Sequence, residues 1–220
     1  MILGIYGSGG FGREVIDMLP MSNFKNLKGK VLFIDDFRVS GEEISGIRNV
    51  KLDEYKSRGD GSCRVLIAVG SPEVRKFLRE KLDSVGISLA TFISDSAFVS
   101  TLAKLEPGVL ISNGVSIANN CEIGINTSIN LQSILGHDVK IGSDCSISSQ
   151  VNIGGGTRIG DQTYIGMGVQ IREGVSIGQK TVIGMGSVVF TDIPAGVIAV
   201  GNPARVVRKN ETGVIFGNSR

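Results

Sequence analysis

Hydrophobic residues recur every six positions along the second half of the chain. The stretch 93–194 divides without a break into 17 hexads, each beginning with Ile, Leu or Val. The fifth position always holds Ala, Val, Cys, Thr, Ser or Ile, and Gly, Asn and Asp between them suit turns. A six-residue period fits neither an α-helix nor a two-sided strand and is typical of a parallel β-helix of hexapeptide repeats. We therefore predict a narrow prism with stacked aliphatic residues inside.

The first 92 residues follow a different pattern, in which short apolar runs alternate with amphipathic stretches. Strands are predicted over "ILGIY", "KVLFIDD", "CRVLIAVG" and "SLATFI", and helices over "FGREVIDMLP" and "SPEVRKFLREKLDSVG". Such a strand–turn–helix series indicates a small parallel sheet of the Rossmann-like α/β type. The expected organisation is a Rossmann-like domain over 1–92, the prism over 93–194, and a closing loop and tail over 195–220.

Composition narrows the function classes. The net charge of +2 gives no electrostatic reason to expect nucleic acid or a membrane surface as partner. Cys63, Cys121 and Cys145 lack metal-ligand spacing and an even count, which favours a reduced compartment and no metal. The amino terminus has no signal-peptide pattern, and no apolar stretch reaches the length of a membrane span. These features predict a cytoplasmic protein.

A glycine pattern follows the first predicted strand. In "GSGGFG", Gly7, Gly9 and Gly12 have the G-x-G-x-x-G spacing of a nucleotide-binding turn. One interpretation is a nucleotide phosphate at the helix N-terminus, with Asp35 and Asp36, after the second strand, on the ribose or base. The alternative is a tight turn that serves only helix–strand packing. Fewer than a hundred residues leave no second mononucleotide half, which disfavours NAD.

Five segments together resemble one group of enzymes across about residues 2–209. "YGSGGFGREV", "FIDDF", "IAVGSPEVRK", "GHDVKIG" and "GNPARVV" resemble the bacterial sugar acyltransferases related to sialic-acid O-acetyltransferases. That family includes N-acetyltransferases for nucleotide-linked 4-amino-4,6-dideoxy sugars. The resemblance implies a left-handed β-helix with three hexads per coil, a homotrimer, and acetyl-CoA bound between neighbouring subunits. It also implies that the N-terminal domain binds a UDP- or dTDP-linked amino sugar.

The resemblance identifies His137, the only histidine, as the general base and Asp138 as the residue that fixes its tautomer. A neutral imidazole suits this role, since an amine or hydroxyl attacking a thioester must lose a proton. With three hexads per coil, residues 18 apart stack, so Gly155 lies above His137 and offers its N–H to the oxyanion. The alternative is an exposed turn histidine beside a turn-forming aspartate.

Other site residues are implied by position in the family's motifs. Those expected to contact the nucleotide sugar are Gly9, Gly10, Phe11, Asp35, Asp36 and Gly70. Those expected along the acetyl-CoA cleft are Ser146, Gly155, Met167 and Met185. Ser146 stands where many members carry a second histidine, and Ser94 and Asp95 replace a common His-Pro. In the predicted closing loop, Pro203 and Ala204 precede three cations, Arg205, Arg208 and Lys209, which either meet CoA phosphates or form a solvated basic tail.

The leading hypothesis is an acetyl-CoA-dependent N-acetyltransferase that acts on a UDP- or dTDP-linked 4-amino-4,6-dideoxy sugar for surface glycan synthesis. Sugar O-acetylation, sialic acid included, is the alternative, because both acceptors need only a base. A non-catalytic nucleotide-binding trimer and a Rossmann oxidoreductase belong to other classes. The His137–Asp138 pair at a stacked corner argues for an enzyme.

Overall fold

The computed structural model describes residues 2–27, 31–58 and 63–211. The N-terminal part is one sheet of order β3-β4-β2-β1-β5-β6, parallel apart from the β3–β4 hairpin. Its strands are β1 Ile2–Tyr6, β2 Val31–Ile34, β3 Glu43–Ile44, β4 Ile47–Val50, β5 Cys63–Ile67 and β6 Ser88–Leu89. Its helices are α1 Gly10–Met18, a 3-10 turn Leu19–Met21, α2 Leu52–Ser57 and α3 Pro72–Ser84. The predicted parallel α/β sheet is confirmed.

Three details differ from the sequence prediction. The first helix ends at Met18 and tightens into a 3-10 turn, because Pro20 has no N–H to continue the α-helical ladder. The β3–β4 hairpin and α2 were not predicted, since strands of two and four residues give almost no periodic signal. The segment "SLATFI" is two strands: β6 joins the N-terminal sheet, and Phe92–Ile93 begins the prism.

The second part is a left-handed parallel β-helix of three sheets, and it confirms three hexads per coil. Residues 18 apart pair as neighbours, as in Leu110↔Ser128 and Glu122↔Lys140. The first sheet contains β7 Phe92–Ile93, β10 Leu110–Ile111, β13 Ser128–Ile129, β16 Ser146–Ile147, β19 Tyr164–Ile165, β22 Val182–Ile183, β24 Val197–Val200 and β25 Arg205–Lys209.

The other two sheets consist of two-residue strands only. The second contains β8 Phe98–Val99, β11 Ser116–Ile117, β14 Ile134–Leu135, β17 Asn152–Ile153, β20 Gln170–Ile171 and β23 Val188–Val189. The third contains β9 Lys104–Leu105, β12 Glu122–Ile123, β15 Lys140–Ile141, β18 Arg158–Ile159 and β21 Ser176–Ile177. From residue 109 onward the first and fifth hexad positions are buried, as predicted.

The fourth residue of each hexad makes the turn. Every fourth position from Gly108 to Gly186 has a φ between 55° and 79°. Gly, Asn and Asp tolerate this left-handed region, whereas Gln132 and Lys180 occupy it at a steric cost of about 1–2 kcal/mol each. Because the turn recurs at a fixed place, the third position of every hexad projects from a corner of the prism.

The three faces of the prism have different surfaces. The first face is covered by the N-terminal sheet, and Leu110 packs into the same core as Leu3 and Ile5. The second face leaves large apolar side chains exposed, among them Phe98 and Ile134. The third face carries a ladder of charged side chains, Lys104, Glu122, Lys140 and Arg158, along a groove of about 790 Å³.

The chain end adds two strands, β24 and β25, to the first sheet, and we call this pair the arm. β24 pairs with β22, and β25 folds back onto β24. The predicted closing loop lies between them, with a cis peptide at Pro203 and a buried Ala204 whose N–H donates to Val188 O at 2.8 Å. Residues 212–220 of the predicted tail lie outside the described residues. None of the described helices combines the length and apolar character that crossing a membrane requires.

Candidate active site

His137 and Asp138 form a hydrogen-bonded pair at the corner between the second and third sheets, which we call the histidine corner. The two atoms His137 Nδ1 and Asp138 Oδ2 lie 2.7 Å apart. Asp138 also accepts from Asn120 Nδ2 at 3.1 Å, one coil below. The bond from His137 and, to a smaller extent, the bond from Asn120 hold the pKa of Asp138 below its usual value. Asn120 was not predicted, although its 18-residue spacing from Asp138 is visible in the sequence.

Gly155 lies over the imidazole, as the 18-residue spacing predicts. A Cβ built on Gly155 would stand 2.7 Å from His137 Nε2 and 2.8 Å from Cε1. The backbone of Gly155 does not need positive φ, so the imidazole is the reason for a glycine here. The main chain supports the stack, since Gly156 N donates to His137 O at 2.8 Å.

This geometry suits proton transfer at Nε2. With Nδ1–H donating to Asp138, the neutral ring presents the Nε2 lone pair. Gly154 N and Gly156 N are paired to Ile171 O and His137 O, whereas Gly155 N–H has no acceptor among the residues the structure describes. A base and a free N–H donor therefore lie side by side on one exposed corner, as acyl transfer requires.

A second candidate region is the crevice at the carboxyl ends of β1 and β5. Gly7 has a φ of 104°, and a Cβ on Gly12 would lie 2.0 Å from Gly7 O, so the fold itself requires both glycines. Gly9 and Gly10 differ, because a Cβ on either would meet no described atom within 4 Å. α1 begins there with no side-chain cap and no acid in its first turn. Open space beside unpaired helical N–H groups suits a phosphate.

The structure separates the two acids. Asp35 faces the glycine loop, where Ser8 Oγ donates to its Oδ2 at 2.6 Å. Ser8 was not predicted, since a serine inside a glycine-rich loop gives no distinctive signal.

Asp36 points to the other side of the sheet. It accepts from Tyr6 Oη at 2.5 Å, Lys81 Nζ at 2.7 Å and Leu52 N at 3.0 Å. Burial opposes its ionisation, but the bonds from Lys81 and Tyr6 outweigh burial and lower the pKa of Asp36. Its carboxylate is thus engaged in tying α2 and α3 to the sheet, and of the two acids only Asp35 belongs to the crevice.

The remaining crevice residues lie where the sheet order places them. β1 and β5 are neighbours, so the loop through Gly70 meets the glycine loop, and a Cβ on Gly7 would stand 2.8 Å from Ala68 O. Phe11 packs its half-buried ring against the core on the α1 side. Its backbone N–H lies in the first turn of α1, next to Gly10.

The predicted acetyl-CoA residues do not converge within one chain. Gly155 lies at the histidine corner, whereas Met167 and Met185 stack at the corner between the first and second sheets, the methionine corner. Their side chains are 52% and 71% exposed. Ser146 is on the first face, and its Oγ is buried with no partner among the described residues. Arg205, Arg208 and Lys209 line the exposed arm.

Two family models match the chain. The model described as "Bacterial transferase hexapeptide (six repeats)" matches residues 156–191, and the one described as "PglD N-terminal domain" matches residues 3–82. No curated protein sequence matches the chain at a significant level.

Several solved structures resemble the whole chain. WeeI from Acinetobacter baumannii is 31% identical with a TM-score of 0.89, covering 94% of this chain and 100% of its own. A histidine-to-asparagine mutant of perosamine N-acetyltransferase from Caulobacter crescentus, in complex with CoA and GDP-perosamine, is 28% identical with a TM-score of 0.85, covering 94% and 96%. The acetyltransferase domain of PglB from Neisseria gonorrhoeae, in complex with acetyl coenzyme A, is 25% identical with a TM-score of 0.85, covering 93% and 98%.

Replacement of Gly155 by alanine is expected to displace the imidazole without unfolding the prism. The new methyl group would overlap the ring, which is 67% exposed and free to rotate away. Because His137 is the only histidine, its ring signals in an NMR spectrum need no further assignment. They should shift in Gly155→Ala, the pKa of Asp138 should rise, and the free energy of unfolding should change by less than about 1 kcal/mol. Ser149→Ala, at the same hexad position but on the methionine corner, is the control, and unchanged ring signals in Gly155→Ala would contradict the stacking.

Proposed function

The chain belongs to the hexapeptide-repeat sugar acyltransferases that carry a PglD-type N-terminal domain, and from that premise we propose that it is an acetyl-CoA-dependent sugar N-acetyltransferase. Its acceptor is the amino group of a nucleotide-linked sugar. The observation that carries the proposal is the His137–Asp138 pair beneath Gly155. The acetyl-CoA and GDP-perosamine named for the Neisseria and Caulobacter proteins support the same reaction class.

The reaction is direct transfer. The sugar amine attacks the thioester carbonyl while His137 Nε2 takes its proton, and the Gly155 N–H stabilises the tetrahedral oxyanion. Collapse of that intermediate breaks the C–S bond, and the CoA sulfur leaves with the proton from the imidazolium. Asp138 keeps the ring in the tautomer with a free Nε2 and stabilises its charged form.

The acceptor's nucleotide binds in the N-terminal crevice. Its phosphate lies at the open N-terminus of α1 over Gly9 and Gly10, and Asp35 contacts the ribose or the base. We infer a 4-amino-4,6-dideoxy sugar linked to UDP or dTDP, for surface glycan synthesis. The GDP-linked sugar bound to the Caulobacter protein makes a guanosine nucleotide the third acceptor to test.

A homotrimer would complete the site. The histidine and methionine corners both border the second face of the prism. Three prisms that turn their second faces toward a threefold axis place the methionine corner of one beside the histidine corner of the next. The exposed Phe98, Ile134 and Phe190 favour burial at this face. Acetyl-CoA would lie in the cleft between the two corners.

A charge on the second face should break the trimer. Sedimentation velocity should show a trimer for the wild-type protein and mainly monomer for Ile134→Asp, because an aspartate at that buried contact would lose its hydration. Ile134→Asp should also lose acetyl transfer, since neither corner alone holds acetyl-CoA. Lys104→Gln, on the third face, should leave both properties unchanged. A stable and active wild-type monomer would exclude this assembly.

Removal of the base should abolish turnover without affecting the fold. In an assay of CoA release with UDP-, dTDP- and GDP-linked 4-amino-4,6-dideoxy sugars, His137→Ala should lower kcat/KM by roughly 10²–10⁴-fold. Asp138→Asn should lower it less, since asparagine keeps the turn but no longer stabilises the imidazolium. Both side chains are more than half exposed, so the melting temperature should not change.

The products of the same assay separate the alternatives. Acetylation of one nucleotide sugar at nitrogen, lost in His137→Ala, supports the proposal. Turnover on free sialic acid alone would move the protein to O-acetylation. Full activity of His137→Ala would refute the role of His137 as the general base.

A methyl group at the N-terminus of α1 should impair nucleotide binding alone. Gly10→Ala adds a Cβ to space that the chain leaves open, where the phosphate is proposed to lie. Calorimetry should show roughly tenfold weaker nucleotide binding, the equivalent of about one charged hydrogen bond. Stability should stay equal or rise by up to about 1 kcal/mol, because alanine suits a helix better than glycine. Asp83→Ala, at the far end of α3, serves as the control, and equal nucleotide affinity in Gly10→Ala would exclude a phosphate at this loop.

A further inference from the structure

Arg75 is a charged side chain with no solvent exposure. It lies on α3, where the chain leaves the N-terminal sheet and meets the prism. Burial lowers the pKa of Arg75 to about 10, so the guanidinium keeps its charge at neutral pH. Because burying a charge is costly, an apolar side chain would serve helix packing better at this position. The arginine therefore calls for an explanation beyond packing.

The guanidinium joins two parts of the molecule. On one side, its Nη1 donates to Ile67 O at 2.8 Å and Val69 O at 3.1 Å, at the end of β5. On the other side, its Nε donates to Asn126 O at 2.8 Å and its Nη2 to Asn126 Oδ1 at 3.0 Å. Asn126 is a left-handed turn residue of the prism, with a φ of 57°. The rigid fork thus holds the β5–α3 loop at a fixed offset from one prism corner.

That loop is a wall of the nucleotide crevice. Val69 precedes Gly70, and a Cβ on Gly7 would stand 2.8 Å from Val69 Cγ1, so the loop touches the glycine loop directly. Arg79, one turn along α3, donates to the carboxylate of Asp144 at 2.9 and 2.7 Å. Asn126 Nδ2 donates to the same carboxylate at 2.7 Å, so the two arginines share one network, but of the two only Arg75 bonds to the β5–α3 loop.

We propose that Arg75 is a positioning residue for acetyl transfer, one that fixes the nucleotide crevice relative to the prism so that the sugar amine meets the imidazole. This inference rests on the proposed function. Arg75 would affect the position of the bound sugar relative to His137 and not the affinity for the nucleotide. The reason is that the glycine loop that would hold the phosphate does not contact the guanidinium.

The test compares two matched substitutions, Arg75→Lys and Arg79→Lys, in the full-length protein. A lysine at 75 keeps the charge but cannot reach both the β5 carbonyls and Asn126. We expect kcat for the nucleotide sugar to fall roughly 10- to 100-fold, the effect of misplacing a reacting group by about 1 Å. The KM for acetyl-CoA and the nucleotide dissociation constant should not change. Arg79→Lys should lower the melting temperature and keep kcat.

A second variant tests the same proposal if Arg75→Lys does not fold. Asn126→Gly keeps the positive φ and the carbonyl that accepts from Arg75 Nε. It removes Oδ1 together with the Nδ2 bonds to Arg75 O and Asp144 Oδ1, and its kcat should fall in the same direction by a smaller factor. Unchanged kcat in a folded Arg75→Lys, or equal losses of kcat in both lysine variants, would overturn the positioning role alone. A wild-type protein that acetylates no nucleotide sugar would overturn the proposed function and this inference with it.

Discussion

From Gly108 to Gly186 every hexad of the prism turns through a residue with positive φ, and the place of each side chain there depends on that turn. The turn residue is always the fourth, so the first and fifth positions face inward and the third stands at a corner. With 18 residues per coil, equal positions lie above one another. This register brings Asn120 beneath Asp138 and Gly155 above His137, so the candidate base acquires both of its supports from backbone periodicity.

The His137–Asp138 pair and the Arg75 guanidinium lie in opposite electrostatic environments, one exposed to water and the other buried. His137 and Asp138 stand in water, where a hydrogen bond is weak, so their chemistry needs a cover that excludes solvent. In the trimer that we propose, the neighbouring prism and the two substrates would provide it. Arg75 instead lies in a dry environment where every donor must be satisfied, and its four neutral acceptors fix its geometry.

The prism was predictable because its signal is repeated 17 times and survives any single departure. The contact between His137 and Gly155 followed from the same spacing once the coil length was known. The β3–β4 hairpin and α2 were not predictable, since both are short and bury only three and two residues, respectively. Adjacent residues that follow a strand point to opposite sides of the sheet. The sequence does not show which side faces the glycine loop, so it could not assign Asp35 and Asp36 to different roles. Arg75 looked like one more charge on an amphipathic helix, and only the packing of α3 against the prism reveals its burial.

The coil also sets the unit in which such a protein can change in length. The joint to the N-terminal sheet lies at Asn126 and Asp144, and the histidine corner lies within the same and the next coil. An insertion of 18 residues beyond Gly155 would lengthen the prism and carry the arm outward, yet leave joint and corner in register. An insertion of hexads that is not a multiple of 18 residues would move every later strand onto a different face. Evolution can therefore extend this scaffold by whole coils while its chemistry stays in place.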